Sequence, residues 1–190
     1  MKQSFHHRLV NGPFEDPSLF IRFSWQRRAM LFDAGWLGRL EQGDVLKITD
    51  VFITHAHIDH FIGFDTLLRA LLRRDTPLNV YGPSDIIDRI EGKLAGYTWN
   101  LISEYPLKIE AYGIDGNIIH HASFYAENRF IKEEKDNLPF SGTVLKDDSF
   151  SIKAATLHHD IQCLGFSLEE DFHINIDKAR LSEMGLSVGP

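Results

Sequence analysis

The chain has 190 residues, enough for one domain with a substantial core. Its 27 acidic and 20 basic residues leave a formal charge of −7, which excludes a general nucleic-acid coat while allowing a local basic patch. With 43% hydrophobic and 25% charged residues, and no apolar run near the ~18 residues of a membrane span, the sequence reads neither as disordered nor as a membrane protein.

The opening residues, Met1 to Arg8, lack the apolar core and small-residue cleavage site of a secretory signal. The lone cysteine, Cys163, has no internal disulfide partner, so a cytoplasmic location is expected. Ten histidines is a high count for this length, and their placement decides the functional reading.

In chain order, Leu19–Phe23 and Ala29–Phe32 read as strands, each behind a turn-like segment, Asn11-Gly12-Pro13 and Gln26-Arg27-Arg28. Asp50–Thr54 is a third strand, apolar enough to be buried on both faces. The period then becomes helical, with Phe61, Phe64, Leu67, Leu68, Leu71 and Leu72 on one face and Arg69, Arg73 and Arg74 on the solvent face. Leu78–Tyr81 returns to strand and stops at Gly82-Pro83. Ser84 and Asp85 open a helix that runs to about Leu94 and closes at Gly96.

Leu107–Tyr112, Asn117–Tyr125, Phe150–Leu157 and Cys163–Leu168 follow as β-like segments. The mixed-charge run Lys132–Asp136 reads as an exposed loop or turn. A short helix from about Asp177 to Met184 ends at Gly185. Neither a repeat nor a linker divides residues 1–190, and the element order predicts a single α/β layered domain with mixed sheets.

The chemistry concentrates in Thr54-His55-Ala56-His57-Ile58-Asp59-His60, between a buried strand and a helix. Residues two apart on an extended segment point the same way, roughly 6–7 Å apart, so His55 and His57 can address one ion. The chain then turns, bringing Asp59 and His60 in from another angle, which suits a second ion; two such ions clamp a phosphate or carbonyl centre. Imidazole and carboxylate ligands favour zinc and leave Mn2+ or Fe2+ open. An accidental histidine cluster is the alternative, and four potential ligands within six residues at this position argue against it.

The run His55-x-His57-x-Asp59-His60 resembles the signature of the metallo-β-lactamase superfamily, and within it the chain is similar to ribonuclease Z and its relatives. Phe61–Leu68 resembles the helix after the family motif, Val80-Tyr81-Gly82-Pro83 its strand-ending Tyr-Gly-Pro, and Leu31–Gly35 its upstream Asp-x-Gly segment. The resemblance implies an αββα sandwich, two zinc ions, and Asp33 as a carboxylate that steadies the metal-binding loop. It also implies that Asp59 is both a ligand of the second ion and the catalytic residue, orienting a metal-bound hydroxide for in-line attack on a phosphodiester, with RNA as the expected substrate.

The family's next ligand is a histidine inside Leu-x-His-x-x-x-Cys-x-Gly-Tyr/Phe. Leu157–Phe166 fits that pattern and assigns the role to His159, with the adjacent His158 as competitor and Cys163 as a small packed residue.

The sequence also departs from ribonuclease Z. Val10–Phe14 and Asp33–Leu37 replace its Gly-Thr-rich opening and Asp-Cys-Gly-Glu-Gly run, which points to a divergent branch. A later bridging Asp and a final His have no counterpart in matching context, and Gly185–Pro190 resembles a segment that lies mid-chain in the family. The sandwich is therefore expected to be incomplete at its C-terminal side.

Two further functional readings stand beside the phosphodiesterase. One is hydrolysis of a small-molecule ester, thioester, lactone or cyclic nucleotide. The other is a catalytically silent metal-binding or assembly fragment that pairs with a second copy through a sheet edge, as a homodimer. No membrane partner is expected. Of the remaining candidates, His6 and His7 read as solvated, His120 and His121 as structural, and His173 as an edge residue. Trp25, Trp36 and Trp99 read as packing residues rather than base-stacking platforms.

Overall fold

The computed structural model describes residues 4–171 and 178–185, and for His159 and Lys178 the backbone only. Eight strands form one sheet in sequence order: β1 (Phe5–Leu9), β2 (Leu19–Phe23), β3 (Ala29–Phe32), β4 (Ile48–Phe52), β5 (Leu78–Pro83), β6 (Lys108–Asp115), β7 (Ile118–Tyr125) and β8 (Lys132–Pro139). The central strands β3 to β6 run parallel, and the flanking pairs are antiparallel. Helices α1 (Gln42–Val45), α2 (Ile58–Phe61), α3 (Phe64–Leu71) and α4 (Ile86–Ala95) occupy the connections. A second sheet of β9 (Thr143–Lys146), β10 (Phe150–His159) and β11 (Ile161–Glu170) is antiparallel, and α5 (Lys178–Glu183) follows it.

Strand alternation assigns the two faces of the large sheet. Leu31, Val51, Ile53, Val80 and Ile109 pack with Phe64, Leu67, Leu71 and Ile90 of the helices. Their neighbours Met30, Phe52 and Tyr81 pack with Phe150 and Ile152 of the small sheet. Among the described residues the layers are thus helix, sheet, sheet, the order expected of the first three layers of an αββα sandwich. Along the inter-sheet face, register stacks Phe32, Phe52, Tyr81, Tyr112 and His121 into a ladder across five strands, with centroid spacings of 4.8, 4.9, 4.7 and 4.5 Å. Near-parallel rings in this arrangement add about 0.5–1.5 kcal/mol per pair beyond their burial.

Several elements differ from the sequence expectation. The third strand spans Ile48–Phe52, not Asp50–Thr54, because the backbone leaves the sheet where Thr54 is drawn to the Asp33 carboxylate. The predicted helix from Phe61 is two helices, α2 and α3, separated at Gly63. There the Gly63 N–H donates to Ala34 O at 2.8 Å, and a Cβ would lie 2.1 Å from Gly35 O. Gly82-Pro83 continues β5 because Pro83 sits at the strand end, where a missing N–H costs little.

Lys132–Asp136 is not a loop: it lies in β8, the edge strand paired with β7, whose charges blunt an otherwise open edge. Arg74 is turned from solvent, its guanidinium donating to the carbonyls of Ile48, Thr76 and Pro77. The closing helix ends at Glu183, one residue short of the expected Met184, and Gly185 follows it with φ of 68°, a conformation that costs glycine little; the expected start at Asp177 lies outside the described residues.

Candidate metal centre

Parallel strands place their C-terminal ends on one rim of the sheet, where ligand sites of α/β folds collect. Asp33 follows β3, the run Thr54–His60 follows β4, and Ser84 follows β5 on that rim. Asp33 has φ of 56°, and its N–H donates to Phe52 O at 2.8 Å, so its carboxylate turns back over the end of β4. Oδ1 accepts from the Thr54 N–H at 2.8 Å, and the Thr54 hydroxyl lies 3.0 Å from both carboxylate oxygens. Oδ2 also meets His60 Nδ1 at 2.8 Å. One buried carboxylate therefore holds both ends of the histidine-rich turn.

Backbone contacts fix the same turn. Ala34 N–H donates to His60 O at 2.8 Å, and a Cβ on Gly35 would lie 2.6 Å from Asp59 O, so the Asp33–Gly35 loop needs glycine where it crosses α2. From the other sheet, Leu164 N–H donates to Thr54 O at 2.9 Å. This contact carries Cys163 to the buried His55, with Sγ 3.9 Å from Nδ1. Burial raises the thiol pKa and the Asp33 charge adds to it, in keeping with a packed rather than a reactive cysteine.

The donor atoms stand in two pairs. His55 Nε2 and His57 Nδ1 are 3.0 Å apart, near the edge of about 3.4 Å that two nitrogens on one tetrahedral zinc span. His60 Nε2 and Asp59 Oδ2 are 3.6 Å apart. The His55 and His60 ring centroids lie 4.0 Å apart, so the pairs are neighbours. The Asp33 bond to Nδ1 of His60 directs the other nitrogen, Nε2, toward Asp59, as carboxylates behind metal-binding histidines do.

Burial opposes a charge on His60, but the hydrogen bond and charge of Asp33, with Asp59 and Asp16 behind it, outweigh burial and hold its pKa above the ordinary imidazole value. Among the described residues no three such side chains converge on one point. Two pairs of nitrogen and carboxylate donors, each backed by a fixed hydrogen-bond network, nonetheless suit a borderline divalent ion at each pair.

The structure thus brings together His55, His57, Asp59, His60 and Asp33. His159 ends β10, where the register pairs Leu157 with Cys163, His158 with Gln162 and His159 with Ile161. Its side chain lies outside the described residues, and the His158 side chain is exposed.

Sequence reading gave no role to Thr54, although its position directly before the motif was a signal, or to Gln162. Gln162 accepts from the Ser84 hydroxyl at 2.5 Å and donates to Ile114 O at 2.9 Å, tying the small sheet to the ends of β5 and β6. His121 is structural, bonded to Glu110 at 2.9 Å and stacked on Tyr112. His6 and His7 are exposed on β1, and His173 lies outside the described residues. Trp99 packs on Phe130, but Trp25 and Trp36 are 71% and 52% exposed, against the packing expectation.

Known proteins resemble this chain in sequence and in fold. Residues 20–72 match the family model of the metallo-beta-lactamase superfamily. Ribonuclease Z of Deinococcus radiodurans is 27% identical over 165 residues, covering 85% of this chain and 50% of its own length. Ribonuclease Z of Bacillus thuringiensis is 33% identical over 147 residues, covering 76% of this chain and 39% of its own. The chain therefore spans half or less of the length of these curated relatives.

Two crystal structures share the fold. Human tRNase Z, short form, aligns with a TM-score of 0.52 and 22% identity over 82% of this chain and 58% of that one. The metallo-beta-lactamase fold protein YhfI from Bacillus subtilis aligns with a TM-score of 0.53 and 16% identity over 86% and 57%. Residues 20–72, which hold the histidine-rich turn and its Asp33 clamp, thus match the metallo-beta-lactamase superfamily, and the chain resembles ribonuclease Z over the part it shares with those relatives.

Proposed function

We propose that the chain carries the metal-binding part of a ribonuclease Z-like phosphodiesterase that uses zinc and acts on RNA. The observation that carries the proposal is the pair of donor sets, His55 with His57 and Asp59 with His60, clamped from behind by Asp33. His55 and His57 would hold one ion, Asp59 and His60 the second, and His159 is proposed over His158 as a further ligand of the first. When bound, zinc lowers the pKa of water toward neutrality and offsets negative charge developing on phosphorus.

The chain's own contribution is placement. Asp33 fixes the His60 tautomer, Thr54 holds the start of the turn, and the half-exposed Asp59 carboxylate stands where it can meet a substrate or orient a water. The curated relatives are named ribonuclease Z, which favours an RNA phosphodiester as substrate. Among the described residues no helix is long and apolar enough to cross a membrane, and we propose that the protein works in the cytoplasm.

The test is zinc content together with turnover of bis(p-nitrophenyl) phosphate and of a tRNA precursor. Tight zinc binding with turnover abolished by Asp59→Ala supports the proposal. Turnover unchanged by that substitution, or binding of no zinc, overturns it.

A further inference from the structure

On the helix face, α1, α3 and the turn after α4 border an open hollow of about 850 Å³, within the range of small-molecule sites. Leu40, Val45, Leu68 and Leu72 line it, and Tyr97 and Trp99 wall one side, their rings edge to face at 5.6 Å. None of these residues belongs to the metal-binding turn.

One charged group at this cavity is left over. Arg69 lines the cavity, is exposed, and makes no ion pair among the described residues. Asp65, one turn earlier and also in the lining, has its charge matched by Lys93 at 2.7 Å. The next arginine, Arg73, is also occupied, donating to the Tyr105 hydroxyl at 3.1 Å and lying over its ring. An unpaired guanidinium beside an apolar, aromatic-walled hollow is complementary to an anionic head on an apolar body.

We propose that this cavity binds a small anionic amphiphile. The aliphatic or aromatic body lies against Leu68, Leu72 and Trp99, and a carboxylate, phosphate or sulfonate group pairs with Arg69. The proposal does not depend on the metal-centre reading, since it uses none of the same residues.

The probe is 8-anilinonaphthalene-1-sulfonate, titrated into the full chain, with decanoate as competitor. One saturable site with blue-shifted emission is expected, displaced by decanoate. Arg69→Ala is expected to weaken binding about tenfold, the loss of one charge-assisted hydrogen bond. Arg73→Ala, outside the cavity lining, should leave it unchanged. Ala70→Trp, which fills the hollow from its half-buried position, should abolish binding; Thr66→Phe is the second filler if that variant does not fold. Equal weakening by Arg69→Ala and Arg73→Ala, binding that survives a folded cavity-filling variant, or binding lost as protein concentration rises because a second copy covers the hollow, would each overturn the proposal.

Discussion

Asp33 and His60, 27 positions apart, meet through a 2.8 Å hydrogen bond that closes the histidine-rich turn onto the end of β3. The same carboxylate holds Thr54 at the other end of the turn, so one side chain sets the position of every donor between them. Replacing it tests placement separately from ligation. Asp33→Asn keeps the size and tolerates φ of 56°, yet offers His60 only a neutral acceptor. Zinc affinity is expected to fall about 10–100-fold with little change in circular dichroism, measured by competition with a chromophoric chelator.

His159 and His158 compete for one role. His159→Ala is expected to lower bound zinc or weaken it strongly, and His158→Ala to leave metal content near wild type. Metal analysis after dialysis reads the difference, and the reverse result reassigns the ligand to His158.

The two sheets are also joined by charge. Arg28 spans from Asp50 of β4, at 2.9 Å, to Asp147 of the β9–β10 connection, at 2.7 Å. Asp50 is fully buried, so Arg28→Met leaves its charge with only the neutral donors Thr49 and Asn79. A loss of about 3–5 kcal/mol is expected in urea unfolding. The double variant Arg28→Met, Asp50→Asn should recover much of it, because the uncompensated charge is gone.

Acid stability should report Glu110. Burial pushes its pKa up, but Lys108, Ser123 and His121 together outweigh burial and hold it below the ordinary value of 4.5. A depressed folded-state pKa contributes stability that is present above the unfolded value and disappears as pH falls through the folded one. The wild-type midpoint of thermal unfolding is therefore expected to drop more steeply than that of Glu110→Gln as pH is lowered from about 5 toward 3. Parallel curves for the two proteins would remove this role.

The exposed loop expected at Lys132–Asp136 shows where sequence reading fails. Nothing in that charged run marks a strand; it becomes one because β7 offers an unpaired edge beside it. Its place in the sheet then follows from pairing, not from its own propensity. The split between α2 and α3 has a similar cause. The helical period runs on through Ile62 and Gly63, and only the crossing of the Asp33–Gly35 loop, three elements earlier in the chain, forces the break.

By itself the sequence determined the order of the central elements, the buried parallel strand before the motif, and the donor types at His55, His57, Asp59 and His60. Apolar periodicity and residue chemistry are local, so they can be read along a line. Only the tertiary structure decided that Asp33 reaches Thr54 and His60 at once, that Gln162 and Cys163 arrive from the second sheet, and that Arg69 lines a hollow with no ion-pair partner among the described residues. Each of these depends on two segments meeting in space, and their meeting is set by how the helices and the small sheet pack on opposite faces of the large one.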